Sequence, residues 1–151
     1  MSDFEKCLAS AQRSLAMREH SSFQIKNKLT NKGFDSDTIE SVILEIKNKG
    51  FQSDERYTEE YIRYRQNSGY GSKKIIYELK SNGISSELIN DSIKNFNDDY
   101  DVLFKLAKTR IIDIDFDDDK KLAKYANNFR SRGFDNNIIL KVINKIKNYE
   151  E

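Results

Sequence analysis

Proline and tryptophan are absent from this sequence, and cysteine and histidine occur once each, as Cys7 and His20. Each scarcity removes a class of protein. One cysteine forbids an internal disulfide, and one cysteine with one histidine is too few for a zinc cluster. Cys7 is therefore expected to pack as a small apolar residue. No apolar run approaches the roughly 18 residues that span a bilayer, and the first residues lack the basic and then apolar layout of a signal peptide. The cytosol is the expected compartment, and no membrane is expected as a partner. Charge of neither sign dominates, because 26 Lys and Arg face 25 Asp and Glu for a formal net charge of +1. That balance argues against retention on nucleic acid by bulk positive field. With no proline, the six glycines are the main punctuation, which suits short helices ended by left-handed caps.

What the chain does have is a match with itself at a shift of fifty residues. Gly33, Gly83 and Gly133 fall in register, each followed by an apolar residue, Phe34, Ile84 and Phe134. Leu29, Leu79 and Phe129 stand four residues before each glycine, and Ile39, Ile89 and Ile139, Ile43, Ile93 and Ile143, and Ile46, Phe96 and Ile146 recur behind it. A period of this size marks an array of small units that bury their faces against neighbours. Each fifty-residue copy alone would bury too little surface to stand by itself. An apolar content of 37% beside 34% charged residues places the chain above the disordered range as a folded, heavily solvated protein.

The expected fold is all-α: three tandem three-helix repeats, elongated and curved, with boundaries at 1–50, 51–98 and 99–151. Ser2 with Glu5 and Ser21 with Gln24 are capping-box pairs for the first two helices. Phe4, Leu8, Ala11 and Leu15 make the apolar stripe of the first helix, and Ile25 and Leu29 that of the second. Asp35 caps a third helix carrying Ile39, Val42, Ile43 and Ile46, with Ser85 and Asp135 in the same slot later. Ser53 caps the first helix of the second copy, whose Asp54 and Glu55 suit the positive end of the helix dipole. The spacing predicts further helices near 72–81, 86–96 and 99–110, then a longer connection from Ile111 to Asp117 before a helix with Leu122, Tyr125 and Phe129.

Two stretches carry a family resemblance. The first is Arg18-Glu19-His20-Ser21 with Gln24-Ile25, Lys28-Leu29 and Lys32-Gly33-Phe34; the second is Asp54-Glu55-Arg56-Tyr57 with Tyr61, Arg65, Gly69, Gly71, Ile75, Leu79 and Gly83-Ile84. Together they resemble the RecX family of bacterial regulators of the RecA recombinase, with Gln24 where the family often has Glu and Thr58 where it usually has alanine. The likeness covers the first two repeats well and the third through its glycine and isoleucine frame. It implies a protein that binds RecA or the RecA filament, along the filament groove, and lowers ATP hydrolysis and strand exchange in recombination and DNA repair. A helix-turn-helix-like module bound to single- or double-stranded DNA, or a helical scaffold for another protein, are the alternative readings. A monomer is expected.

The residues proposed to meet a partner are those that differ between copies. Arg63 and Arg65 come first, with the basic set Lys120, Lys121, Lys124, Arg130 and Arg132 of the third copy, because arginine holds phosphate or carboxylate through two parallel hydrogen bonds. Lys73 and Lys74 join them, while Lys26, Lys28, Lys32 and Lys80 solvate helix faces as well as they follow a phosphate backbone. Tyr57 and Tyr61 have the spacing of a buried face; Tyr64 and Tyr70 are more open to a partner. His20 has no nucleophile and supporting carboxylate around it and reads as a helix-junction residue. The run Asp113, Asp115, Asp117, Asp118 and Asp119 fails as a calcium loop, since Asp118 stands where glycine is needed and Lys124 where the bidentate glutamate belongs. Neither a catalytic residue nor a metal or cofactor is expected, and so the chain is not expected to be an enzyme.

Overall fold

The structure, a computed structural model, describes residues 1–111 and 116–150. Nine helices occur among them: α1 Asp3–Met17, α2 Ser22–Asn31, α3 Ser36–Asn48, α4 Asp54–Asn67, α5 Ser72–Ser81, α6 Ser86–Ile93, α7 Asp99–Arg110, α8 Asp119–Ser131 and α9 Asn136–Glu150. They follow one another as three triples, an all-α tandem repeat. Most of the connection from Ile111 to Asp117, with Asp113 and Asp115, lies outside the described residues.

The recurrent glycine has a physical cause. The Gly33 N–H donates to Thr30 O and the Phe34 N–H to Leu29 O, and the same pair of bonds joins Gly83 to Lys80, Ile84 to Leu79, Gly133 to Arg130 and Phe134 to Phe129. This is the Schellman termination, in which the residue past the helix takes a left-handed turn and the next apolar side chain folds back on the last turn. At Gly133 φ is +97°, a region that costs a residue with Cβ about 1–2 kcal/mol. The apolar residues on either side of the glycine are thus one motif: Leu29, Leu79 and Phe129 are all essentially inaccessible.

The chain divides into two compact units, and the division passes through α4 and α5. One unit comprises Met1–Tyr61 and Leu79–Ser92. Its core cluster is Cys7, Ala11, Ile25, Leu29, Ile39, Val42 and Ile46, formed where α1 and α2 pack on α3. The buried face of α1 is Cys7, Ser10, Ala11 and Ser14, so the expected stripe is corrected: Phe4 is exposed, and Leu8 and Leu15 only flank the cluster. Small residues on that face let α1 approach α3 closely. Burial pushes the Cys7 thiol up, with Asp35 adding to the rise. His20 occupies the α1–α2 junction, 7% exposed, its Nδ1 at 3.0 Å from Arg18 O and its own carbonyl accepting Gln52 Nε2 at 3.1 Å. Because a carbonyl only accepts, Nδ1 carries a proton; burial lowers the pKa of the ring, and this hydrogen bond opposes the fall.

The other unit comprises Ile62–Glu78 and the residues from Ile93 onward. Its core cluster includes Val102, Leu103, Ala107, Phe129, Phe134, Ile139, Val142 and Ile146, with α7 and α8 packed on α9. The helix expected to reach residue 96 stops at Ile93. The chain must turn there: Asn97 O accepts Gln66 Nε2 at 2.7 Å, and Asp98 caps α7 by accepting the Asp101 N–H at 2.9 Å.

A second correction concerns the isoleucine frame. Ile43 and Ile93 are half-buried rather than core, whereas Ile143 belongs to the core; one residue earlier Val42, Ser92 and Val142 are buried in all three copies. One residue is 100° around a helix, enough to move a side chain from the centre of the packed face to its edge.

A cationic and aromatic candidate site around Tyr70

The site lies wholly in the second unit and begins with two glycines. Gly71 donates its N–H to Arg132 O at 2.8 Å, and the Lys73 N–H reaches Gly133 O at 3.3 Å. A Cβ on Gly71 would lie 2.4 Å from Gly133 O, and one on Gly133 would lie 2.6 Å from Lys74 N. Only residues without side chains allow this approach. Its consequence is that the neighbours of the two glycines, Tyr70 and Arg132, are brought together.

Three cations surround the Tyr70 ring. The Arg65 Cζ stands 3.6 Å from the ring centroid, the Arg132 Cζ 4.8 Å and the Lys74 Nζ 5.5 Å. Arg65 is held by Glu78 in a two-pronged pair, Nε to Oε1 at 3.0 Å and Nη2 to Oε2 at 2.9 Å, with only 16% of its side chain exposed. Arg132 donates Nη1 to the carbonyls of Ser68 at 3.0 Å and Gly69 at 3.3 Å. Among the described residues neither Arg132 nor Lys74 has a carboxylate partner. Positive charges without a carboxylate partner among the described residues, set beside an aromatic face, have the chemistry to hold an anionic group.

The other expected site residues divide clearly. Lys73 pairs with Asp135, and the two share with Arg130, Phe134, Asn136 and Asn137 an open groove of about 430 Å³. Arg130 is exposed and fixed by Asn136 Oδ1 at 2.8 Å and by Asn127. Arg63 lies 5.7 Å from the Phe96 ring centroid, and Tyr64 is 63% exposed. Lys120, Lys121 and Lys124 are exposed on α8, and no contact of their side chains brings them to Tyr70. Tyr57 is buried and stacks on Tyr61 at 5.7 Å, while Tyr77 is 71% exposed.

Sequence reasoning missed Glu78, the Ser68 and Gly69 carbonyls, and Asp99. The Asp99 carboxylate accepts the Ser72 N–H at 3.0 and 3.2 Å and the Ser72 hydroxyl at 2.6 Å. Burial pushes its pKa up, the two Ser72 hydrogen bonds oppose the rise, and Asp135 and Asp98 add to it. An aspartate at a helix start is an ordinary cap by sequence, so nothing marked this one as reaching a different helix.

Three-helix units in series, one of them presenting this cation-ringed tyrosine, define an all-α tandem-repeat protein. The chain belongs to the RecX family of regulatory proteins. The family models of the first and second three-helix domains of RecX match residues 7–45 and 53–93. Regulatory protein RecX of Legionella pneumophila (strain Corby) is 34% identical over 147 residues, covering 94% of this chain and 95% of the relative. That of Clostridium perfringens (strain 13) is 33% identical over 153 residues, 98% of this chain and 72% of the relative. The crystal structure of RecX from Lactobacillus salivarius superposes with a TM-score of 0.79 at 22% identity, over 96% of this chain and 97% of that one, a likeness of fold. No helix among the described residues is long and apolar enough to cross a membrane.

Proposed function

We propose that this protein binds RecA or its nucleoprotein filament in the cytoplasm and lowers ATP hydrolysis and strand exchange, acting by occupancy without catalysis. Family membership supports the choice of partner. The observation that supports the contact surface is the Tyr70 cluster, where Arg132 and Lys74 lack carboxylate partners among the described residues. Arg65 serves that surface by holding the ring from beneath, because its charge is already matched by Glu78. Repeats in series that meet successive protomers of a filament would add weak contacts through effective concentration. Binding along the filament would exclude a second DNA strand and hold protomers against the rearrangement that accompanies ATP turnover.

The test is RecA ATP hydrolysis on single-stranded DNA as this protein is titrated in. Hydrolysis and strand exchange should both fall, and charge reversal at Lys74 and Arg132 together should blunt the fall while the helical circular-dichroism signal stays intact. Tight binding to DNA alone, with a steep salt slope, would instead favour nucleic acid as the main partner.

A further inference from the structure

Two aspartates cap helices that are not their own. Asp54, the first residue of α4, accepts the N–H of Ser22, the first residue of α2, at 3.0 Å. Asp99, the first residue of α7, does the same for Ser72, the first residue of α5. The two serines are fifty residues apart and the aspartates forty-five, because α6 ends early, so the sequence period hides the correspondence. In both cases the start of one triple's first helix holds the start of the preceding triple's second helix.

The two caps differ in what depends on them. Before Ser22 stands Ser21, whose hydroxyl accepts the Gln24 N–H at 3.1 Å while the Ser21 N–H reaches Gln24 Oε1 at 3.1 Å, so α2 has a cap of its own. Before Ser72 stands Gly71, which has no side chain to offer, and Asp99 supplies that role with both oxygens. Ser72 sits between Gly71 and Lys73, the two residues whose N–H groups meet the Arg132 and Gly133 carbonyls. Tyr70 lies two residues before Ser72 and Lys74 two after. The Asp99 carboxylate therefore grips the middle of the segment that spaces Lys74 and Arg132 about the tyrosine.

We infer that Asp99 is a positioning residue for the Tyr70 site: by fixing Ser72 it sets the register of the Gly71–Lys73 segment against Arg132–Gly133, and with it partner affinity, without touching the partner. The part about affinity rests on the Tyr70 cluster being the partner surface. The part about register does not.

The experiment compares full-length Asp99→Ala, Asp99→Asn and Asp54→Ala with the parent and with a Lys74→Glu/Arg132→Glu variant. Amide hydrogen exchange at Gly71 and Lys73 reads the register, and titration against RecA filaments on single-stranded DNA reads affinity. Asp99→Ala should lose protection at both amides and weaken binding by about tenfold, the scale on which losing a preorganised surface is felt. Asp99→Asn should restore both, since an amide still accepts the Ser72 N–H and donates to its hydroxyl. Asp54→Ala should leave both amides and the affinity unchanged. Parent-like protection of Gly71 and Lys73 in Asp99→Ala, or loss of affinity in Asp54→Ala equal to that in Asp99→Ala, overturns the inference. Parent-like binding by the Lys74→Glu/Arg132→Glu variant, with protection lost in Asp99→Ala, overturns the assignment of the surface while keeping the positioning role.

Discussion

Replacing Gly71 with alanine isolates the contact on which the candidate site is built. Gly71 lies outside the left-handed region of φ, so alanine costs nothing in backbone conformation there; the whole effect comes from space. The added methyl would stand 2.4 Å from Gly133 O, 2.6 Å from Gly133 C and 2.9 Å from Phe134 Cδ1. Two of these are backbone atoms that cannot rotate away, so the two segments must separate. Overpacking of this kind costs about 1–3 kcal/mol. Stretching the Gly71–Arg132 and Lys73–Gly133 hydrogen bonds adds up to about 1 kcal/mol each. The expected loss is about 1–5 kcal/mol, or about 2–20 °C in melting temperature for a chain of this size. Urea and thermal unfolding followed by circular dichroism measure it. Gly33→Ala is the counterpart, because nothing lies within 4 Å of a Cβ there and φ is +94°, so it should lose only the conformational term of about 1–2 kcal/mol. A Gly71→Ala protein within about 0.5 kcal/mol of the parent, the usual range of a harmless surface change, would refute the close approach.

Three further outcomes follow from burial and charge. Ile39→Ala, at a fully packed position, should cost about 2–5 kcal/mol in urea unfolding, and Ile43→Ala, half-exposed beside it, clearly less; equal losses would contradict the corrected face of α3. His20 is held below the ordinary imidazole value, chiefly by burial, so the unfolded chain takes up its proton first: stability is fully present above about pH 6.5 and declines as pH falls toward the lowered folded value. His20→Gln should flatten that part of the stability–pH curve, and an unchanged slope would place the decline elsewhere. Asp99 has the opposite sign, because its raised folded pKa means the native state binds the proton first: its ionised form opposes folding at neutral pH, and that cost is relieved as pH falls through the folded value. Asp99→Asn should therefore be no less stable than the parent at pH 7 while losing this gain on acidification.

The helical repeat was legible because its determinants are local. A glycine with an apolar residue after it and another four before is what a Schellman termination requires, and Ser2, Ser21, Asp35, Ser53 and Ser85 cap helices where their sequence context predicts. Periodicity placed the packed face only to within one residue, which is why the half-buried Ile43 was grouped with the buried Val42. Of the candidate site, Tyr70, Arg65, Lys74 and Arg132 were named from residue type, yet what assembles them is a meeting of backbones at Gly71 and Gly133, 62 residues apart. Spacing within a helix carries no trace of such a meeting. The same holds for Asp99, whose partner Ser72 is in another helix.

The central claim is that this chain restrains RecA through the cations around Tyr70. The most direct test is RecA ATP hydrolysis on single-stranded DNA with the parent protein and with the Lys74→Glu/Arg132→Glu variant at equal, saturating concentrations. The account predicts that the parent suppresses hydrolysis and the folded variant does so far less. Unchanged hydrolysis with the parent contradicts the proposed function, and equal suppression by both proteins contradicts the site.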